Sequence, residues 1–349
     1  MCDLASLTLA GHKHAVLCVA LSGDGTRIIS CSSDGIVKSW DSHSRACIHS
    51  LQINPLHSAA VLSIATSRDG ARVACGLMDP TVTVWDLATG TPVCTMAGHF
   101  RMVSSVAMTG DGSRVASGGA SDNLVKVWNV ESGACESTLE GHTGGVTSVA
   151  MSEDGTRVVS GSDDWSVKVW TAVPGACLRT LLGHSGSVTS VAITGDGARV
   201  ASGNDDTLIK VWEVESGVCL RTLEGHTIWG LKIAMSRDGA YIVSGEDNGN
   251  LHLWDVESGA CIRTLNAHAS SVTSVAISED GGRVVSASLE LDETVKAWDP
   301  PPRPERAVAL AMGHHVRLGA ESLVLALEEG LLRLLAQHAA AGAWGGSVQ

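Results

Sequence analysis

A histidine, a serine and an aspartate, the residue types of a hydrolase triad, stand together in GHTGGVTSVAMSEDGTRVVSGSDDWSVKVW, residues 141–170. His142 could take the proton of Ser160 while Asp164 held the imidazole in one tautomer, which is the chemistry of nucleophilic acyl transfer. A catalytic centre needs that set once, and this chain repeats it. His12, His57, His99, His142, His184, His226 and His268 follow one another at 42 to 45 residues. Trp40, Trp85, Trp128, Trp170, Trp212, Trp254 and Trp298 keep the same range of spacing. Polar groups that recur seven times belong to the architecture, so no catalytic residue is assigned and no enzyme is expected.

The elements that carry these residues are short. VTSVAMS (146–152), RVVSGS (157–162), SVKVW (166–170) and CLRTL (177–181) are β-branched runs separated by turn residues, and none has helical periodicity. An Asp-Gly step joins the first two runs of every unit, from Asp24-Gly25 to Asp280-Gly281. Glycine supplies the positive φ that such hairpins need. A four-stranded meander with two apolar faces is not stable alone, whereas seven stacked radially cover one another and close a ring.

The GH…WD pattern at this period resembles the WD-repeat β-propeller family. The resemblance implies an all-β fold over residues 1–299, with seven blades of four antiparallel strands. It also implies a buried network within each blade, here His142, Ser160, Asp164 and Trp170; His184, Ser202, Asp206 and Trp212; and His12, Ser30, Asp34 and Trp40. The chemistry agrees. A buried indole N–H needs an acceptor, a serine hydroxyl can accept from it and donate to imidazole, and a carboxylate fixes the tautomer. Two units depart from the set. Asn248 replaces the aspartate of the sixth, which should weaken its bond to His226; Cys75 replaces the serine of the second, where His57 lacks its glycine and Pro80 follows the aspartate. The second blade is therefore expected to be the least braced. The seventh unit breaks at Pro300-Pro301-Pro302 without a fourth strand, and ASLTL (5–9) resembles CLRTL, so residues 4–9 are expected to close the ring. The Pro-initiated tail, 300–349, reads either as a helix or as a degenerate extra blade.

The formal charge is −13 and no basic run occurs, which argues against nucleic acid or an anionic membrane as partner. No cationic segment precedes an apolar one at the N-terminus, and the ten cysteines form no CxxC pair. Six of them recur at one repeat position, too far apart to bridge, which suits reduced thiols in the cytoplasm or nucleus. His12-Lys13-His14 lacks a third ligand, so neither metal nor cofactor is expected.

Specificity should lie where the units differ. Phe100, beside Arg101, follows His99; Trp165 follows Asp164; Trp229 stands three residues after His226. All three fall on the face that carries the His loops and the Asp hairpins, here called the top. Asp163, Asp205, Glu246, Asp247 and Glu290 join them there. Aromatic rings with carboxylates suit a cationic side chain, so the expected partners are other proteins or peptides, basic ones included, held by a monomeric non-enzymatic scaffold or adaptor. The alternative within the family is a substrate receptor of a cullin-type ubiquitin ligase. Many such receptors carry arginine three residues after the Trp, where this chain has His43, Ala88, Glu131, Val173, Glu215, Glu257 and Pro301.

Overall fold

The computed structural model describes residues 7–53, 60–289 and 294–299. Residues 300–349, residues 54–59 with His57, and residues 290–293 with Glu290 and Asp292 lie outside the described residues. Seven antiparallel sheets of four strands form the blades of a propeller. Blade four shows the common plan, with strands Val146–Met151, Arg157–Ser162, Val167–Thr171 and Cys177–Leu181. These are the runs expected from the sequence. All seven Asp-Gly glycines take φ between 66° and 71°, the left-handed region where a β-carbon is disfavoured.

Burial falls off from the second strand outward. Residues 158–162 are all buried, while the outer strand 177–181 is mostly exposed. The second strand lies between two neighbouring blades, so both its faces need apolar or small residues. Blades are also tied by polar contacts. The Ser105 hydroxyl accepts from Val149 N–H of the next blade at 3.0 Å, and Ser148 does the same for Val191 at 3.1 Å. Arginines of the second strand reach carbonyls of the next blade's Asp-Gly turn, Arg72 to Gly112 at 3.2 Å and Arg157 to Gly197 at 3.0 Å. Arginines at this repeat position also take a carboxylate, Arg114 with Glu136 at 2.8 Å and Arg283 with Asp299 at 2.9 Å.

The ring closes as expected. Leu7–Ala10 pairs antiparallel with Thr294–Trp298, Leu9 opposite Val295, and so supplies the outer strand of blade seven. Leu9 is buried among Val285, Ala287, Val295 and Ala297 of blade seven and Val16, Val19 and Ile28 of blade one.

Candidate functional site

The hydrogen bonds around His142 answer the triad question. His142 Nδ1 donates to Asp164 Oδ2 at 2.8 Å, and its Nε2 meets Ser160 Oγ at 2.7 Å. Ser160 Oγ also accepts from Trp170 Nε1 at 2.8 Å. Ser160 and Trp170 are almost wholly buried, so the serine has no access to a substrate. The set fastens the His loop to the Asp hairpin, as does the equivalent set of His99, Ser117, Asp122 and Trp128 in blade three.

Blades one and five keep only part of it. His12 and His184 reach Ser30 and Ser202 at 2.7 Å, but their Nδ1 atoms are buried without a hydrogen-bond partner. Asp34 is taken up by Ser32 Oγ and Ile36 N–H. Asp206 Oδ2 accepts from Ser185 N–H and Oγ, and stands 3.9 Å from His184 Nδ1. The expected four-residue networks at His12 and His184 are therefore corrected to three-residue ones, because nearer donors claim the carboxylate. In blade two Trp85 Nε1 donates to Thr83 Oγ1 at 3.1 Å, bypassing Cys75.

Blade six overturns another expectation. Asn248 does not weaken the hold on His226, because Glu246 replaces the missing aspartate: its Oε1 accepts from His226 Nδ1 at 2.8 Å and from Thr227 N–H at 3.1 Å. Glu246 is 1% exposed and so is not among the top-face acids.

Burial lowers the pKa of His12 and His184 to about 4, where no carboxylate hydrogen bond opposes it. His99, His142 and His226 are lowered too, although Asp122, Asp164 and Glu246 pull the other way. The sign follows from linkage. Between the ordinary 6.5 and about 4, the unfolded chain binds protons that folded His12 and His184 refuse, so stability falls as pH drops through that window. Burial pushes Asp122 and Asp164 up, but hydrogen bonds from His99 and Phe100 N–H to the one, and from Ser166, Thr143 N–H and His142 to the other, lower both below 3.8, so they continue the loss at lower pH. Melting temperature, followed by circular dichroism, is expected to decline steadily from pH 7 to pH 4.5; a flat profile would show that these histidines are not held neutral.

The bottom face is already self-satisfied. The residue before each Asp-Gly step is, in blade order, Gly23, Arg68, Gly110, Glu153, Gly195, Arg237 and Glu279. Their backbones form a closed ring of N–H to carbonyl bonds, from Gly23 to Arg68 at 2.8 Å around to Glu279 and Gly23 at 3.3 Å. These residues and the ends of all seven first strands line one cavity. Arg68 bonds Glu153 at 3.0 Å and Glu279 at 2.9 Å; Arg237 pairs with Glu153 and, at 3.0 Å, with Glu279. The glycines give these side chains room: a β-carbon on Gly23 would fall 2.4 Å from Glu279 Oε1, and one on Gly195 2.6 Å from Arg237 Cγ. Four charges thus clasp one another across that end of the ring. Comparing this one repeat position across the units shows two arginines and two glutamates, but not which of them meet. The nearby Asp111, Asp154 and Asp196 are spent on their own turns, each accepting a hydroxyl and a backbone N–H two residues on.

The top face differs. Phe100 is 75% exposed, Trp229 71% and Trp165 54%. Trp165 holds φ +70°, at a position where blades one and six place Gly35 and Gly249. Asp163, Asp205 and Asp247 are exposed, as expected. Ser187 of the next blade donates to Asp163 at 2.5 Å, and Ser271 to Asp247 at 2.6 Å, which fixes both carboxylates at blade junctions. Arg101 lies 6.0 Å over the Phe100 ring and so occupies one of its faces. Lys232, partly buried in the first strand of blade six, feels Asp247 and Asp205; burial lowers its pKa and the two carboxylates oppose this. Met78 and Leu182, also well exposed on top-face connections, were missed in the sequence. They break the repeat just as the aromatic residues do, but aliphatic residues are too common in strand-rich chains to stand out.

Among curated proteins, none matches the chain significantly. The family model for the WD domain, G-beta repeat, matches residues 5–41, 45–86, 90–129, 133–171, 175–213, 217–255 and 259–299. Each matched stretch spans the outer strand of one blade and the three inner strands of the next, and the chain belongs to the WD40 repeat family.

Proposed function

We propose that this protein is a non-enzymatic interaction scaffold whose top face holds a cationic segment of a partner protein. WD40 propellers generally act as protein-interaction scaffolds and are typically without catalytic activity. The finer reading rests on Trp165. An indole is kept half exposed at φ +70°, where any β-carbon is strained by roughly 1–2 kcal/mol. Blades three and five hold Asn123 and Thr207 at positive φ in the same position, but neither puts an exposed ring there, and exposed Trp on a rigid rim is a strong binding anchor. Asp163 adjoins it in sequence, and Asp205 and Asp247 stand at the matching positions of the next two blades. Rings with fixed carboxylates favour Arg or methylated Lys over neutral side chains.

The test uses fluorescent peptide pools that share a scaffold and differ in net charge. Cationic pools are expected to bind the wild type, and the combined Asp163→Lys, Asp205→Lys, Asp247→Lys variant is expected to lose them while melting normally. Equal binding of acidic pools, or cationic binding that survives the reversal, would overturn the reading.

A further inference from the structure

Blade six leaves the repeat at three positions together. Glu246 stands where no other blade has a carboxylate, Asn248 where the others have aspartate, and His252 where five others have lysine. The geometry points to a binding site for a divalent transition cation of the zinc class, formed by His226 Nδ1, Glu246 and His252 Nε2. The ligand atoms of the three residues all lie within 4.8 Å of one another, and all three side chains are buried. Glu246 Oε1 is 2.8 Å from His226 Nδ1, and its Oε2 is 3.5 Å from His252 Nε2.

A second observation points the same way. His252 is 8% exposed, and its Nε2 is buried with no hydrogen-bond partner. Its other nitrogen, Nδ1, lies 3.0 Å from Thr264 Oγ1. A neutral imidazole that donates from Nδ1 turns the lone pair of Nε2 toward the carboxylate, the arrangement of a metal-ligating histidine with an outer partner. Two imidazoles and one carboxylate form a common zinc donor set, with the fourth position left to water. Calcium and magnesium, which require oxygen ligands, fit poorly.

Loading needs two adjustments. The imidazole nitrogens must approach by on the order of 1 Å, because tetrahedral zinc holds its ligands at about 2.0–2.2 Å. His226 must also release its Nδ1 proton and carry one on Nε2 instead. Ser244 Oγ, 3.1 Å from Nε2, can accept it, since its own hydroxyl proton can turn to the His252 carbonyl at 3.5 Å. Asn248 Nδ2 donates to Glu246 Oε2 at 2.8 Å and aligns the carboxylate. The His12-Lys13-His14 stretch, read from the sequence as unsuited to metal, has no part in the site.

The test is a zinc titration of the full chain at pH 7.5, against a chromophoric competing chelator. Exposed thiols such as Cys47, Cys135 and Cys177 are first alkylated so that they do not report. The wild type is expected to bind one equivalent more than His252→Lys, which restores the residue of the other blades, and more than Glu246→Gln. The affinity of that equivalent should fall at least about 10-fold in either variant, because even outer-sphere partners are worth roughly that much. Zinc should raise the melting temperature of the wild type and leave that of His252→Lys unchanged. Equal stoichiometry and equal zinc response in wild type and His252→Lys would overturn the proposal. These readouts do not depend on peptide binding, so this test and that of the top face fail separately.

Discussion

Trp170→Ala is expected to lower the free energy of unfolding by about 3–5 kcal/mol, whereas Trp165→Ala, in the same hairpin, should stay within about 0.5 kcal/mol of wild type. The two indoles share a sequence neighbourhood and nothing else. Trp170 is 1% exposed and packs with Val146, Val149 and Val158 of its own blade and with Val125, Val127 and Leu139 of blade three. Its removal opens a cavity between two blades. It also takes from Ser160 the indole donor at 2.8 Å, and the edge-on His142 ring loses its partner 6.0 Å away. The glycine that opens the unit would be left facing a void: Gly141 holds φ +151°, and a β-carbon there would sit 3.3 Å from the Trp170 ring. Urea unfolding followed by circular dichroism measures both variants. Equal losses would mean that the blade interface does not depend on the buried indole.

Trp165→Gly is expected to act in opposite directions on folding and on binding. Removing the β-carbon at φ +70° relieves the left-handed strain and should raise stability by about 1 kcal/mol, as Gly35 and Gly249 already do in their blades. Removing the ring should weaken the cationic peptide by about 30-fold, the cost of losing an anchor worth about 2 kcal/mol. Adding Trp229→Ala should deepen that loss. Greater stability with unchanged peptide affinity would exclude Trp165 from the binding surface. Unchanged stability would show that the strain is relieved elsewhere in the hairpin.

The local rules of the chain carried most of the architecture. Each unit supplies its own hairpin glycine, its own β-branched runs and its own indole donor, so one repeat determines one blade. Seven copies with a displaced strand at Leu7–Ala10 then determine the closed ring. The brace between His142, Ser160, Asp164 and Trp170 followed from the resemblance to the WD-repeat family, with which the donors and acceptors of these side chains agree.

Which carboxylate meets which histidine was decided only by packing. Asp34 and Asp206 occupy the same repeat position as Asp164, yet neighbouring hydroxyls and amides outcompete the imidazole for them. Glu246, one side-chain carbon longer and two residues earlier than Asn248, reaches His226 from a position where the repeat predicts no acid. The clasp of Arg68, Arg237, Glu153 and Glu279 joins residues up to 211 apart, and becomes a contact only when the ring brings seven equivalent turns to one axis. Local hairpin chemistry depends on a few adjacent residues and repeats faithfully. Hydrogen-bond competition and charge pairing depend on ångström-scale distances between blades, which sequence spacing does not specify.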